Sequence, residues 1–300
     1  MAKAPPGSRT LMAKAAANGA SGGAMAAVKS DFDSVRQVLA KLGDAAVMAN
    51  HTAPDQVVIT NSCQESVAIA LRLLTRPGDT VAIESPTYYG LLQVIESLGL
   101  KALEIPTDPI HGISLEALAL AMERWPVAAC VVVPNFSNPL GVCMSDARKQ
   151  ALLALLAAHR VPLVEDDIYG DLPLVGPRPL PVKAWDRHGQ VYYCSSCSKT
   201  LSAGMRVGWL VPGKHHERAG YLQFVNTVSV ATPSQLALAH FLDHGHYDRH
   251  LRQVRVLHAQ AVARMTDRVA AVFPPNTRIS RPAGGFVLWL ELPGGVDTSE

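Results

Sequence analysis

The chain has 300 residues, 48% of them apolar, and a formal net charge of +2. That is enough apolar material for one large core with a smaller companion, and the balanced charge, with no basic stripe or like-charge block, argues against a nucleic-acid-binding module or a membrane-surface segment. The longest apolar run, Ala151 to Ala158, is too short to cross a bilayer, and five cysteines without a secretory apolar core fit a soluble, cytoplasmic protein with free thiols.

Residues 1–30 are rich in Ala and Gly, carry no acid, and read as a disordered tail. Asp31 to Leu42 has helical apolar spacing and stops at Gly43. Gln56 to Thr60 is a short strand that runs into SCQES, where Ser62 and Glu65 have capping-box spacing and start a helix. The first backbone N–H groups, on Cys63 and Gln64, belong either to a well-capped helix or to an anion cradle. Thr80 to Glu84 is a strand whose exit carries Tyr88 and Tyr89, rings that serve as core or stack on a flat ligand.

A helix over Leu91–Leu98, a strand over Lys101–Ile105, a helix over Leu115–Glu123 begun by Ser114, and an apolar strand over Val127–Val133 follow. The next stretch, PNFSNPLG, holds Asn138 extended before Pro139, which suits a cleft residue and equally an ordinary turn. Ser145–Ala158 reads as a helix and Val161–Val164 as a strand that ends in EDDIYG. Three adjacent acids at a strand exit are hard to explain by packing. A hard-cation site would draw further oxygen ligands from elsewhere, and no such set is evident, so no metal is expected.

Val191 to Trp209, VYYCSSCSKTLSAGMRVGW, predicts a strand, a Ser/Cys loop carrying Lys199, then Gly204, Arg206 and Gly208 leading into another strand. Lys199 is either a surface lysine or, if burial keeps its amine neutral, a nucleophile able to form an imine with a carbonyl cofactor. Cys194 and Cys197 form a CxxC with no second ligand pair at zinc spacing, which favours structural thiols. Helices are predicted over Ala219–Val225, Pro233–Leu242 and Tyr247 to about Val272. His240, His244, His246, His250 and His258 in and near them are expected to be exposed, since the His246/His250 pair lacks an HExxH acid. Phe286–Glu291 reads as a strand with no evident partner, so a second domain is expected to be incomplete.

Strand and helix alternate from Gln56 to Val211, which predicts an α/β fold: a three-layer, doubly wound, mostly parallel sheet with an incomplete small α+β domain. Ligands bind such sheets at the carboxyl ends of strands, where Cys63, Gln64, Tyr88, Asn138, Asp166, Tyr169 and Lys199 all fall. A flat ring bearing an aldehyde, a phenolic oxygen, a protonated ring nitrogen and a phosphate gives each of them a task. Lys199 forms the imine and later acts as general base, and Asp166 keeps the ring nitrogen protonated. Asn138 and Tyr169 hold the phenolate, and Tyr88 stacks. The Cys63 and Gln64 amides, with Ser196, Ser198 and Arg206, hold the phosphate.

SCQES, ESPTYYG, PNFSNPLG, VEDDIYG and SSCSKTLSAGMRVGW resemble, in order and spacing, the fold-type I pyridoxal phosphate enzymes of the class I/II aminotransferase group. Among these they look most like the aminotransferase-like domain of MocR/GntR-type regulators. The resemblance implies pyridoxal 5'-phosphate as cofactor, Lys199, Asp166 and Tyr169 as catalytic residues, an amino acid and a 2-oxo acid as substrates, and a homodimer. It also implies a division into 31–55 as small-domain helix and linker, 56–245 as the cofactor-binding domain, and 246–300 as the start of a second domain. The family's arginine for the substrate carboxylate is expected beyond Glu300, no tyrosine precedes Tyr88, and residues 1–30 do not supply a winged helix-turn-helix. The expected activity is amino transfer, with effector sensing and little or no turnover as the alternative.

Overall fold

The computed structural model describes residues 56–294. The expectations for 1–30 and for the helix at Asp31–Leu42 lie outside the described residues.

The chain alternates as predicted: β1 (Val58–Thr60), α1 (Cys63–Leu74), β2 (Thr80–Ser85), α2 (Tyr89–Ser97), β3 (Lys101–Asp108), β4 (Gly112–Ile113), α3 (Leu115–Arg124), β5 (Val127–Val132), α4 (Asp146–His159), β6 (Leu163–Asp166), β7 (Val191–Ser196) and β8 (Gly208–Val211). Then come α5 (His216–Thr227), α6 (Thr232–Asp243), α7 (His246–Val272), β9 (Arg278–Ile279) and β10 (Leu290–Glu291). Ser62, Ser114 and Ser145 cap α1, α3 and α4, each accepting a backbone N–H three residues on. No described helix is long and apolar enough to cross a membrane.

The large sheet has eight strands in the order β1-β8-β7-β6-β5-β2-β3-β4. Its centre is parallel, whereas β8 runs antiparallel to both β1 and β7. Strand alternation divides the core into two sides. Val81, Ile83, Val131 and Val164 pack with Val67 and Leu71 of α1 on one face. Ala82, Cys130, Val132 and Leu163 pack with Leu118 of α3 and Leu152 and Leu156 of α4 on the other. Apolar side chains two residues apart point the same way, so a sheet apolar on both faces is covered by helices on both, and the three-layer expectation holds.

Several boundaries differ from the sequence reading. Backbone pairing carries β7 through Ser195 and Ser196, so the Ser/Cys loop begins at Cys197. The strand expected over Phe286–Glu291 is only Leu290–Glu291, and it has a partner, Arg278–Ile279. Phe286 instead makes ring contacts with Tyr169 (centroids 5.6 Å apart) and His258 (4.9 Å), so side-chain stacking holds that segment.

Candidate active site

Because β8 runs opposite to its neighbours, its beginning lies at the same edge as their ends. Gly208 pairs with Thr60 on one side and Ser196 on the other. Arg206, two residues earlier, is thereby brought between the start of α1 and the Lys199 loop. Gly208 is required there, since a Cβ would sit 2.6 Å from the Ser62 carbonyl carbon. Arg206 itself adopts the left-handed backbone region (φ 54°) before the chain enters β8.

A cavity of about 230 Å³ opens at this edge. Every predicted cofactor residue lines it: Cys63, Gln64, Tyr88, Asn138, Asp166, Tyr169, Ser196, Ser198, Lys199 and Arg206. The sequence reading missed its apolar wall, made by Val67 of α1, Leu91 and Val94 of α2, Val133 and Ile168. Val67 and Leu91 sit one helical turn beyond Cys63 and Tyr88, and Ile168 adjoins Tyr169, a spacing that was the available signal; Val94 and Val133 had none.

Ser62 accepts the Glu65 N–H through Oγ (3.1 Å), while Glu65 Oε2 accepts the N–H of Asn61 (2.6 Å), one residue earlier than in a standard capping box. This fastens the turn before α1 and leaves the amides of Cys63 and Gln64 at the helix N-terminus, facing the cavity end of the dipole. On the opposite side Ser198 donates its N–H to Ser196 Oγ (3.3 Å), and Ser198 Oγ is buried with no hydrogen-bond partner among the described residues.

Of the three acids, only Asp166 lines the cavity. Alternation along β6 sends it to the α1 face, where the Cys63 thiol donates to Oδ1 at 3.1 Å and the Ile168 N–H donates to the same oxygen at 3.1 Å. Burial pushes its carboxyl up to about 6, against the pull of the Cys63 and Ile168 hydrogen bonds. Glu165 points to the other face and accepts the N–H groups of Val182 (2.7 Å) and Lys183 (2.8 Å). Burial, with the neighbouring Asp167 charge, pushes its carboxyl up to about 8. Asp167 accepts from Asn135 Nδ2 (2.8 Å), Arg178 Nη2 (2.7 Å) and Tyr193 OH (2.9 Å). The expectation that packing does not explain these acids is thus corrected for Glu165 and Asp167, whose partners come from segments distant in sequence.

Asn138 hydrogen-bonds the Tyr169 side chain, and burial raises the Tyr169 phenol to about 12. Tyr88 lies 4.8 Å from Tyr89 between ring centroids; Tyr88 lines the cavity and Tyr89 is exposed.

Of the two readings of Lys199, a surface lysine or a buried nucleophile, the structure shows the residue exposed on the turn after β7, where it lines the cavity. The helix histidines are not all exposed: His250 hydrogen-bonds the carbonyl of Thr200 (2.9 Å), the residue after Lys199, and His258 stacks on Phe286. Helix α7 also reaches the Asp166 loop, with Tyr247 OH on Asp171 Oδ2 (3.2 Å) and Arg255 Nε on the Asp171 carbonyl (2.9 Å). Cys194 and Cys197 are buried free thiols.

The geometry defines a class: an α/β protein whose cavity joins a lysine amine, a part-buried carboxylate, a hydrogen-bonded Asn/Tyr pair and a helix N-terminus at one sheet edge. The chain belongs to the aminotransferase class I and II family, which it matches over residues 7–299, as the motif resemblance implied. It is 44% identical over 243 residues to the HTH-type transcriptional regulator YjiR of Escherichia coli K12, covering 81% of this chain and 52% of that protein. It is 28% identical to aromatic-amino-acid aminotransferase 1 of Thermococcus litoralis, covering 81% of this chain and 59% of that protein. The chain therefore spans about half the length of the regulator it matches.

Two solved structures share the fold. The kynurenine aminotransferase of Pyrococcus horikoshii, crystallised with PMP, superposes with a TM-score of 0.82 at 27% identity, over 88% of this chain and 66% of that one. LysN, the alpha-aminoadipate aminotransferase of Thermus thermophilus in complex with N-(5'-phosphopyridoxyl)-L-leucine, gives 0.81 at 25% identity, over 88% and 67%.

Proposed function

We propose that this chain binds pyridoxal 5'-phosphate at the sheet-edge cavity and uses Lys199 to transfer an amino group between an amino acid and a 2-oxo acid. What carries the reading is that the residues with separate tasks on one ring line a single cavity. The cofactor's chemistry fits the donor set. Ser198 Oγ, buried without a partner among the described residues, suits a phosphate oxygen. The first-turn amides of α1 favour an anion, Arg206 supplies positive charge, and Asp166 is a part-buried acceptor for a ring N–H.

When bound, the cofactor supplies an aldehyde that condenses with amines and a protonated ring that withdraws electrons from the substrate's α-carbon. The chain's residues do the rest. Asp166 holds the proton on the ring nitrogen. Asn138 and Tyr169 donate to the phenolic oxygen, Tyr88 covers the ring face, and the amides of Cys63 and Gln64, with Ser196, Ser198 and Arg206, fix the phosphate. Lys199 would supply the amine that holds the aldehyde and the base for the substrate's α-proton. We assign 56–245 to the cofactor-binding domain and the segment from 246 to a second one, in a homodimer.

A second reading is favoured by the identity to HTH-type regulators. In it the same cavity belongs to an effector-sensing domain that exchanges amines with little turnover. One titration separates the two. Pyridoxal phosphate is added to the purified chain, a visible absorption band is followed, and a panel of amino acids is then supplied. Stoichiometric release of a 2-oxo acid supports transfer, whereas a spectral change without 2-oxo acid supports sensing. A Lys199→Ala chain that kept the band unchanged would sink both.

A further inference from the structure

A cysteine at the first position of a helix is ordinarily a candidate for a reactive thiolate, because the helix dipole favours its charge. Cys63 occupies that position in α1. Here the balance is reversed: burial and the neighbouring Asp166 charge push the thiol well above its ordinary value. It stays protonated, and a protonated thiol is a donor. Its Sγ lies 3.1 Å from Asp166 Oδ1, the oxygen that already accepts the Ile168 N–H. Both donors converge on one carboxylate oxygen, and no donor among the described residues is bonded to Oδ2.

We propose that Cys63 is a positioning residue for Asp166: its thiol, with the Ile168 amide, pins Oδ1 and so presents Oδ2, charged, to a protonated ring nitrogen in the cavity. The proposal rests on the reading of the cavity as a pyridoxal phosphate site. It assigns the Cys63 side chain a task separate from that of its backbone amide, which faces the phosphate. A single residue thereby ties the anion-binding start of α1 to the carboxylate on β6. The other titratable groups facing Asp166 are Asp167 and Tyr169 on its own loop, Cys194 on β7, Glu84 on β2, Tyr88 and Lys199. Of these, Lys199 favours the carboxylate charge and Asp167 opposes it. None of them hydrogen-bonds Oδ1 in the structure, so removal of the thiol is not compensated from within the cluster.

The test compares Cys63→Ala and Cys63→Ser with the unsubstituted chain, reading pyridoxal phosphate affinity by absorbance from pH 5 to 8. A hydrogen bond to a charged group, discounted for a weak S–H donor, predicts an affinity about three- to tenfold lower in Cys63→Ala. The low-pH limb of the affinity profile, where the carboxyl takes up a proton, should move to higher pH in Cys63→Ala, while Cys63→Ser, which keeps a donor, should return both readouts toward those of the unsubstituted chain. A second measurement needs no ligand and no truncated side chain. The infrared S–H stretching band lost on Cys63→Ser should lie at the lowered frequency of a hydrogen-bonded thiol. Equal affinity and an unmoved limb in Cys63→Ala, or a lost band at the frequency of a free thiol, overturns this proposal alone. A chain that binds no pyridoxal phosphate overturns the cavity reading and this proposal with it.

Discussion

Arg178 is the cation on which the interior beneath the site depends. Its guanidinium reaches Asp167 Oδ2 at 2.7 Å, Asp171 Oδ1 at 2.5 Å and the Pro179 carbonyl at 2.8 Å. The Asp167 side chain is 0% exposed and that of Arg178 is 16% exposed, so solvent screens the pair weakly. Arg178→Met keeps most of the stem's volume and removes the charge. It leaves Asp167 buried with two neutral donors, Asn135 and Tyr193. Breaking a buried ion pair from one side costs about 3–5 kcal/mol, and the two remaining donors offset part of this, so the expected loss is about 3 kcal/mol. Asp167→Asn instead leaves the guanidinium with Asp171 as its remaining ionic partner. In the double variant the Asp167 charge is removed together with the guanidinium, and the cycle should return a coupling of about 2 kcal/mol. The assay is urea unfolding of the ligand-free chain, with midpoints and slopes fitted for all four proteins. A loss below about 1 kcal/mol for Arg178→Met, or strictly additive effects, would refute the claim that this pair acts as one buried unit.

Glu84 is buried, accepts the Val133 N–H at 2.8 Å, and is pushed up by burial to about 7. Since the folded state holds this proton more tightly than the unfolded state, its contribution is complete at low pH and is lost as pH rises toward 7. Glu84→Gln should therefore stabilise the chain at pH 8 relative to pH 4.5, by on the order of 3 kcal/mol; equal effects at both pH values in urea titrations would contradict this. Gly208→Ala forces a Cβ against the Ser62 backbone. It should cost about 1–3 kcal/mol and weaken pyridoxal phosphate binding through the displaced start of α1, read by thermal melting and absorbance; an unchanged melting temperature would count against that close approach. Ser62→Ala removes the α1 cap and should cost about 1 kcal/mol, visible as a shifted urea midpoint; no shift would mean that the Glu65 contact to Asn61 suffices. Asp166→Asn should weaken pyridoxal phosphate binding and flatten its fall below about pH 6, where burial lets the carboxyl protonate; a pH profile like that of the unsubstituted chain would place the titrating group elsewhere.

Much of this site is local in origin, which is why it is legible without coordinates. Apolar runs such as Val127–Val132 and caps such as Ser62, Ser114 and Ser145 act over a few residues, and together they announce a doubly wound sheet. Once the sheet is known, the residues at strand exits share an edge by construction, so Asn138, Asp166 and Lys199 could be named as neighbours from spacing alone. What pairing at long range decides is finer. The reversed direction of β8 turns Arg206 from a residue near Lys199 in sequence into one beside the start of α1. Strand alternation and a distant partner separate EDD into one cavity acid and two structural ones, because Val182, Lys183 and Arg178 come from the connection between β6 and β7, whose path no local pattern reveals. The exposure of Lys199 and the contact of His250 with Thr200 likewise depend on where the turn after β7 and helix α7 come to rest. Strand and helix periods are short-range, so the order of residues along the chain is enough to say which of them reach the sheet edge. Which way each one faces and what it touches depend on partners that lie tens of residues apart, and only the folded arrangement brings those together.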